Sequence, residues 1–215
     1  MASFALSSTA GVAAYRQELQ VPPGAVVALY SGNMGAKQGL EVLADVARLL
    51  AQEVRQVVFV FCGNGAGRAD LVARCQGLAN VRFMDLQPLE RLPDLLATAD
   101  IHLLPQRADA ADLVMPSKLT GMLASARPVV ATAHPGTDLA TVVQTCGLVV
   151  PPENAAALAQ AIQTLAADPA LRESLGAAGY LYAQAHLDSE AVLGRFESDL
   201  RELVGGLSSV ARLGV

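Results

Sequence analysis

Residues 25–39 read AVVALYSGNMGAKQG. Val26–Ser31 is an apolar run of strand length, Gly32 and Gly35 open a tight turn, and Lys37 stands at the start of a segment with helical spacing. A strand, a glycine-rich turn and a helix start together make an anion site. Glycine lets the backbone approach a ligand, free N–H groups point outward, and the helix end carries partial positive charge. The pattern is neither the dinucleotide fingerprint GxGxxG nor the phosphate loop GxxxxGK[ST], because Gly39 follows Lys37 instead of preceding it.

The same alternation continues outward from this stretch. Gln38–Ala51 carries Leu40, Leu43, Ala47 and Leu50 at helical spacing. Val57–Cys62 (VVFVFC) is apolar throughout, as a strand covered on both faces should be, and it ends in Gly63-Asn64-Gly65. Arg68–Gln76 reads as a helix, Val81–Met84 as a strand, Leu89–Thr98 as a helix and Ile101–Leu104 as a strand. After a loop over 105–115, Pro116 falls in the first turn of a helix reaching about Ser125. Pro128–Thr132 and Gly147–Val150 are the last two strands, with a short helix over Leu139–Gln144 between them. Glu153–Ala167 is a helix, and Asp168-Pro169 caps the next, to about Ala183. Asp188 or Ser189 caps a final helix with Val192, Phe196, Leu200 and Leu203 on one face. Six short apolar strands alternating with amphipathic helices predict an α/β class fold, a doubly wound, six-stranded parallel sheet of Rossmann-like type.

The flanks are less patterned. Residues 1–24 are Ser/Ala-rich and then polar, with a short helix over Val12–Leu19, and Pro22-Pro23-Gly24 marks the start of the domain. This reads as a linker or the cut edge of a larger protein, with the main domain over 25–185 and a C-terminal helix and tail over 186–215. The N-terminus has no basic region before an apolar stretch, and no run is long enough to span a membrane.

Of 215 residues, 53% are hydrophobic and 16% charged, enough for a sizeable core. The formal net charge of -5 speaks against a nucleic-acid surface but leaves room for a local cationic pocket. The only lysines are Lys37 and Lys118. Cys62, Cys75 and Cys146 have no CxxC spacing, so they read as buried free thiols in a reducing compartment.

Parallel sheets bind ligands beyond the C-terminal ends of their strands, and four segments reach that edge. Gly32, Asn33, Gly35 and Lys37 could contact a phosphate or diphosphate, or they could be a tight turn beside a surface lysine. Pro116, Ser117 and Lys118 could supply a hydroxyl and a charge to the same anion, or simply start a helix. Gly63, Asn64 and Gly65 leave room for a ring or ribose against the backbone, or form a turn needing positive φ. His134 lies in a loop after a strand, where a histidine is commonly incidental; His102 packs within a strand and His186 sits between helices. Asp109 and Asp112 could bind a metal or polarise a hydroxyl, though solvated loop acids are the commoner case. No histidine pair has metal-ligand spacing, and no serine is matched to a base.

Taken together, YSGNMGAKQGLEVL (30–43), VFVFCGNGAGRADL (58–71), NVRFMDL (80–86), LLATADIHLLPQ (95–106), MPSKLTGMLASARPVVAT (115–132) and CGLVVPPENAAALAQAI (146–162) resemble the carboxyl-terminal half of retaining glycosyltransferases of the GT-B fold, family 4. The bacterial exopolysaccharide (colanic acid, capsule) type is the most similar, and the resemblance runs from about Val21 to Leu203. It implies a domain that holds a nucleotide-sugar, UDP- or GDP-linked, as substrate, without a further cofactor and usually without a metal. A sugar then moves to an acceptor hydroxyl bound by an N-terminal domain that this chain lacks.

By resemblance, Lys37 matches the lysine of the family's diphosphate-binding basic pair, and Asn33 stands at the arginine position. Gly63–Gly65 and the segment from Leu86 lie where the family packs the base. The family's two motif carboxylates would fall at 113 and 121, which here are Leu113 and Gly121, with Asp112 one residue from the first. Ser117 and Lys118 fall between them, and Lys37 and Lys118 become the groups expected to stabilise the leaving diphosphate.

The resemblance also implies cytoplasmic location, a full-length enzyme peripheral at the inner membrane face, and a lipid-linked or saccharide acceptor. The isolated half is expected to transfer little by itself and to expose an apolar docking patch that could drive dimerisation. The alternatives are a nucleotide-sugar epimerase-like domain and a non-catalytic nucleotide-binding module. The absent motif carboxylates favour the latter.

Overall fold

The computed structural model describes residues 7–35, 38–52, 57–109 and 115–187. Lys37, Asp112, Leu113 and the helix expected after Asp188 lie outside these residues.

Six strands form one sheet: β1 (Val26–Ser31), β2 (Val57–Cys62), β3 (Val81–Met84), β4 (Ile101–Leu104), β5 (Val129–Thr132) and β6 (Gly147–Val150). Every pairing is parallel and the order is β3-β2-β1-β4-β5-β6, the doubly wound topology expected from the sequence. β1, β2, β4 and β5 are buried along their whole length, whereas β3 and β6, at the two edges, are only partly covered. That is why VVFVFC shows no alternation: both its faces meet helices.

Among the described residues eight α-helices cover the sheet: α1 (Thr9–Glu18), α2 (Glu41–Leu49), α3 (Arg68–Arg74), α4 (Leu92–Thr98), α5 (Lys118–Ala124), α6 (Asp138–Val143), α7 (Ala155–Ala167) and α8 (Pro169–His186). Successive β1 residues face opposite sides. Val26, Ala28 and Tyr30 join Phe59, Phe61, Leu43 of α2 and Ile162 of α7, while Val27 and Leu29 join Val58, Val60, Tyr15 of α1 and Leu95 of α4. α5, α6 and α8 close a third apolar cluster over β5 around Leu123, Leu139 and Ala183.

Several boundaries differ from the sequence reading. The segment expected to be a linker carries α1, capped by Ser8, and this helix is part of the core. Tyr15 and Leu19 are buried, and Arg16 donates to the Ala25 carbonyl at 2.7 Å and pairs with Asp100 at 3.3 Å. α2 starts at Glu41, not Gln38, because Gly39 adopts φ +63 and breaks the helical path. Pro116 lies ahead of α5 and not in its first turn. Its carbonyl accepts from Leu119 N–H at 2.9 Å, and Ser117 is the N-cap residue. α7 starts at Ala155 behind the Asn154 cap, since Glu153 has φ +59. The Asp168 cap is as expected, accepting from Leu171 N–H at 2.9 Å, and its helix runs on to His186. Cys62, Cys75 and Cys146 are buried free thiols.

Candidate functional site

The chain reverses its direction of travel across the sheet between β1 and β4, and the crevice of a doubly wound fold opens at that point. The turn after β1 forms one wall. Gly32 (φ +140) receives its place from β2, its N–H donating to the Cys62 carbonyl at 3.0 Å. Gly63 (φ +151) crosses so close that a Cβ there would stand 1.9 Å from the Gly32 carbonyl oxygen. Only glycine permits that approach. Met34 N–H then donates to the Asn64 carbonyl at 2.9 Å, and Gly67 N–H to the Met34 carbonyl at 2.8 Å. The Asn33 amide lies over Gly65 and beside Gly35. Thus Gly32, Asn33, Gly35, Gly63, Asn64 and Gly65, drawn from two loops, form one continuous backbone surface.

Lys118, from the first turn of α5, reaches into this surface. Its Nζ donates to the Gln38 Oε1 at 2.8 Å and to the Tyr30 hydroxyl at 3.2 Å, and it lies 4.7 Å from the centre of the Tyr30 ring. The Tyr30 hydroxyl in turn donates to the Asn33 carbonyl at 2.5 Å. The Lys118 ammonium is half-buried, and burial pulls its pKa from 10.5 down to about 8. Burial pushes the Tyr30 phenol up, so it stays neutral. A Cβ at Gly32 would meet Lys118 Cε and Nζ at 3.6 Å, an ordinary contact, so it is the backbone φ of +140 and not the space that calls for glycine there. Ser117 is exposed, and its hydroxyl makes no capping bond. Gly121 sits further along α5, on the side packed against Leu96 of α4.

The outer wall lies at the end of β3. Arg68 pairs with Asp85 at 3.1 Å, and Gln87 joins the Asp85 carbonyl to the Tyr15 hydroxyl through bonds of 3.0 Å each. Leu86 beside them is 56% exposed and Leu89 is 78% exposed, two apolar side chains turned outward at the ligand edge. A cavity of about 420 Å³ opens below, between Arg68, Arg82, Asp85, Gln87 and Glu18.

The opposite wall is the loop after β4. Thr132 of β5 holds the Gln106 peptide from both sides, accepting from its N–H at 2.7 Å and donating to its carbonyl at 2.8 Å. Ala108 is held the same way, its N–H by Glu153 at 3.3 Å and its carbonyl by His134 Nε2 at 3.1 Å. Arg107 pairs with Asp109 at 2.9 Å and rests over Gly39. His134 therefore supports a loop. His102 is buried in β4 against Ser125 at 2.8 Å, away from the edge.

Of the residues singled out from sequence, Gly32, Asn33, Gly35, Gly63, Asn64, Gly65 and Lys118 come together, with Ser117 and Pro116 adjoining and Leu86 on the outer wall. Among the described residues no group of three His, Cys, Asp or Glu side chains is close enough to hold a metal ion. No described helix is long and apolar enough to cross a membrane. Tyr30, Gln38, Arg68 and Asp85 were not marked by sequence reasoning. The one available signal was Tyr30, a tyrosine whose polar tip must find a partner when its strand is buried.

Comparison with known proteins supplies the context. The family model described as Glycosyl transferases group 1 matches residues 25–168. The colanic acid biosynthesis glycosyl transferase WcaI of Escherichia coli is 37% identical over 206 residues, covering 94% of this chain and 49% of its own length. Among solved structures, sucrose-phosphate synthase of Thermosynechococcus elongatus superposes with a TM-score of 0.72 at 25% identity, over 94% of this chain and 50% of that one. Anabaena Alr3699/HepE, in complex with UDP and glucose, gives a TM-score of 0.72 at 20% identity, over 91% and 53%. The chain thus spans about half the length of the relatives it matches, and the shared half is the parallel sheet with its helices.

Proposed function

The chain belongs to the group 1 glycosyl transferases, and from that premise we propose that it is the half that binds the sugar donor in an enzyme of polysaccharide biosynthesis. The donor is a nucleotide-sugar lying across the crevice between β1 and β4, and the second half of the enzyme brings the acceptor hydroxyl, on a saccharide or lipid-linked sugar at the membrane face. The diphosphate sits over the Gly32–Gly35 turn, where Lys118, together with Lys37, meets its charge. The base packs against Gly63–Gly65 beside Leu86, and Ser117 lies toward the sugar. The leaving diphosphate gains negative charge as the glycosidic bond breaks, so cations fixed at this point stabilise the transition state more than the ground state.

The observation that carries this reading is Lys118. It reaches from α5 to the exit of β1, where its ammonium stands beside the Gly32 backbone, held by Tyr30 and Gln38. A uracil nucleotide is favoured because HepE, which shares the fold, was solved with UDP. The epimerase reading loses support to the family match.

Calorimetric titration with UDP, GDP, ADP and their sugar conjugates tests the proposal. One nucleotide class should bind, and Lys118→Ala should weaken it at least tenfold, an effect of about 1.4 kcal/mol. Binding that Lys118→Ala leaves unchanged, or no binding by the folded protein, overturns it.

A further inference from the structure

We propose that Tyr30 and Gln38 form a clamp that fixes the Lys118 ammonium at the exit of β1, making both of them positioning residues for the group that meets the donor diphosphate. What Lys118 meets rests on the donor-site reading above; the clamp itself rests on geometry.

Three elements contribute. Tyr30 is the fifth residue of β1 and points to the α2 side, so its ring is fixed by the core it shares with Phe61 and Met34. Its hydroxyl donates to the Asn33 carbonyl at 2.5 Å, which spends its proton and leaves its lone pair for Lys118 at 3.2 Å. Gln38, from the turn before α2, accepts at 2.8 Å. The ring face lies 4.7 Å from Nζ and adds a cation–π attraction. A lysine ammonium carries three donor hydrogens. Two are committed to the protein, and among the described residues the third has no partner.

The arrangement solves a problem specific to lysine. A flexible four-carbon stem bearing a point charge loses rotamer entropy when a ligand fixes it. Here that loss is taken during folding, and the alkyl end is seated against Gly32. The described groups facing the ammonium are the Tyr30 phenol from β1, the Gln38 amide and the Gly32 backbone, all uncharged. The nearby Arg107–Asp109 pair over Gly39 is internally balanced. The clamp acceptors therefore offset part of the burial that lowers the Lys118 pKa.

The chain has only two lysines, so protein labelled with 13C at the lysine ε-carbon gives two signals, and Lys37→Arg assigns them. Without any ligand, Lys118 in the native protein should titrate near pH 8. Tyr30→Phe, which keeps the ring, and Gln38→Met, at a partly exposed turn, should each lower the midpoint by about one pH unit. Gln38→Glu should raise it by a similar amount, because a carboxylate replaces the amide oxygen. A merely structural role would not move the midpoint in opposite directions. UDP binding at pH 8 should weaken by about tenfold in Tyr30→Phe and Gln38→Met.

A midpoint that neither Gln38 variant moves overturns the clamp whatever the nucleotide data show. Midpoints that move as expected in a protein that binds no UDP support the clamp and count against the donor-site reading instead.

Discussion

His102 gives a stability prediction that can be worked from the structure. Its side chain is fully buried in the middle of the sheet. Ser125 donates its hydroxyl to the Met122 carbonyl at 2.6 Å, so at 2.8 Å it can only accept from His102, which places the ring proton on Nε2. A second proton would have to go to Nδ1, which is buried and has no hydrogen-bond partner among the described residues. Burial, and then the nearby Arg127 cation, lower the pKa from 6.5 to about 3. The folded pKa lies below the unfolded one, so the unfolded chain binds the extra proton. Stability is complete above about pH 6.5 and falls as the pH drops toward 3.

Each unit of that interval is worth about 1.4 kcal/mol, so acidification from neutrality to mid-acid conditions near pH 4 should cost about 3 kcal/mol through this one residue. Urea unfolding of the native chain and of His102→Gln, at both pH values, isolates the effect. Glutamine can still donate to Ser125 but cannot titrate. The acid-induced loss should be about 3 kcal/mol larger in the native chain than in the variant. Equal losses would show that His102 does not carry its proton penalty in the fold, and the reasoning from burial would fail.

Other tests follow from packing. Gly63→Ala places a Cβ within 1.9 Å of the Gly32 carbonyl oxygen at φ +151, so thermal unfolding should show a loss beyond the ~1–2 kcal/mol of the backbone conformation alone. A wild-type melting temperature would refute the crossing. Tyr15→Ala removes a ring buried between α1 and α4 and should cost about 3–5 kcal/mol in urea, as a core aromatic does; a cost typical of a surface site would return α1 to the status of a linker. The three thiols should react with a thiol reagent only after unfolding. Cys75, pushed up to about 11, should be inert at neutral pH, and fast labelling of the native protein would contradict its burial.

The strands were legible because their signal is local. VVFVFC announces a strand buried on both faces, and Asp168-Pro169 announces a capped helix start. The glycine turns were legible for the same reason, since Gly32 and Gly63 end apolar runs. What the sequence hides is partnership. Tyr30 looks like another core aromatic until its hydroxyl is found between Asn33 and Lys118, and these three residues meet only because β1 ends where α5 begins its course. Gln38 was absorbed into a helix whose true start is delayed by the left-handed backbone of Gly39. Residues 9–19 lack a strong apolar stripe, yet Arg16 reaches the Ala25 carbonyl and Asp100, contacts no periodicity reports.

The strand order has a consequence for how the molecule opens. β3-β2-β1 and β4-β5-β6 are each built from neighbours in sequence, while β1 and β4 meet after a long excursion of chain. Six residues of β1 register against β2, but only Ala28 and Leu29 register against β4. The base of this junction is fastened by Asp100, whose carboxylate takes Val27 N–H at 2.8 Å and Arg16 at 3.3 Å. At the upper end, where the crevice lies, the two sides are tied by a side chain instead, Lys118 of α5 reaching the Tyr30 hydroxyl at 3.2 Å. The β1/β4 ladder is thus short, but apolar packing bridges it, since Tyr30 of β1 shares one core with Ile101 and Leu103 of β4 and Ile162 of α7, so the two halves of the sheet should open together. A molecule seated across the crevice would add to the Lys118 tie, and amide hydrogen exchange at Ile101 and His102 should slow in proportion to its occupancy.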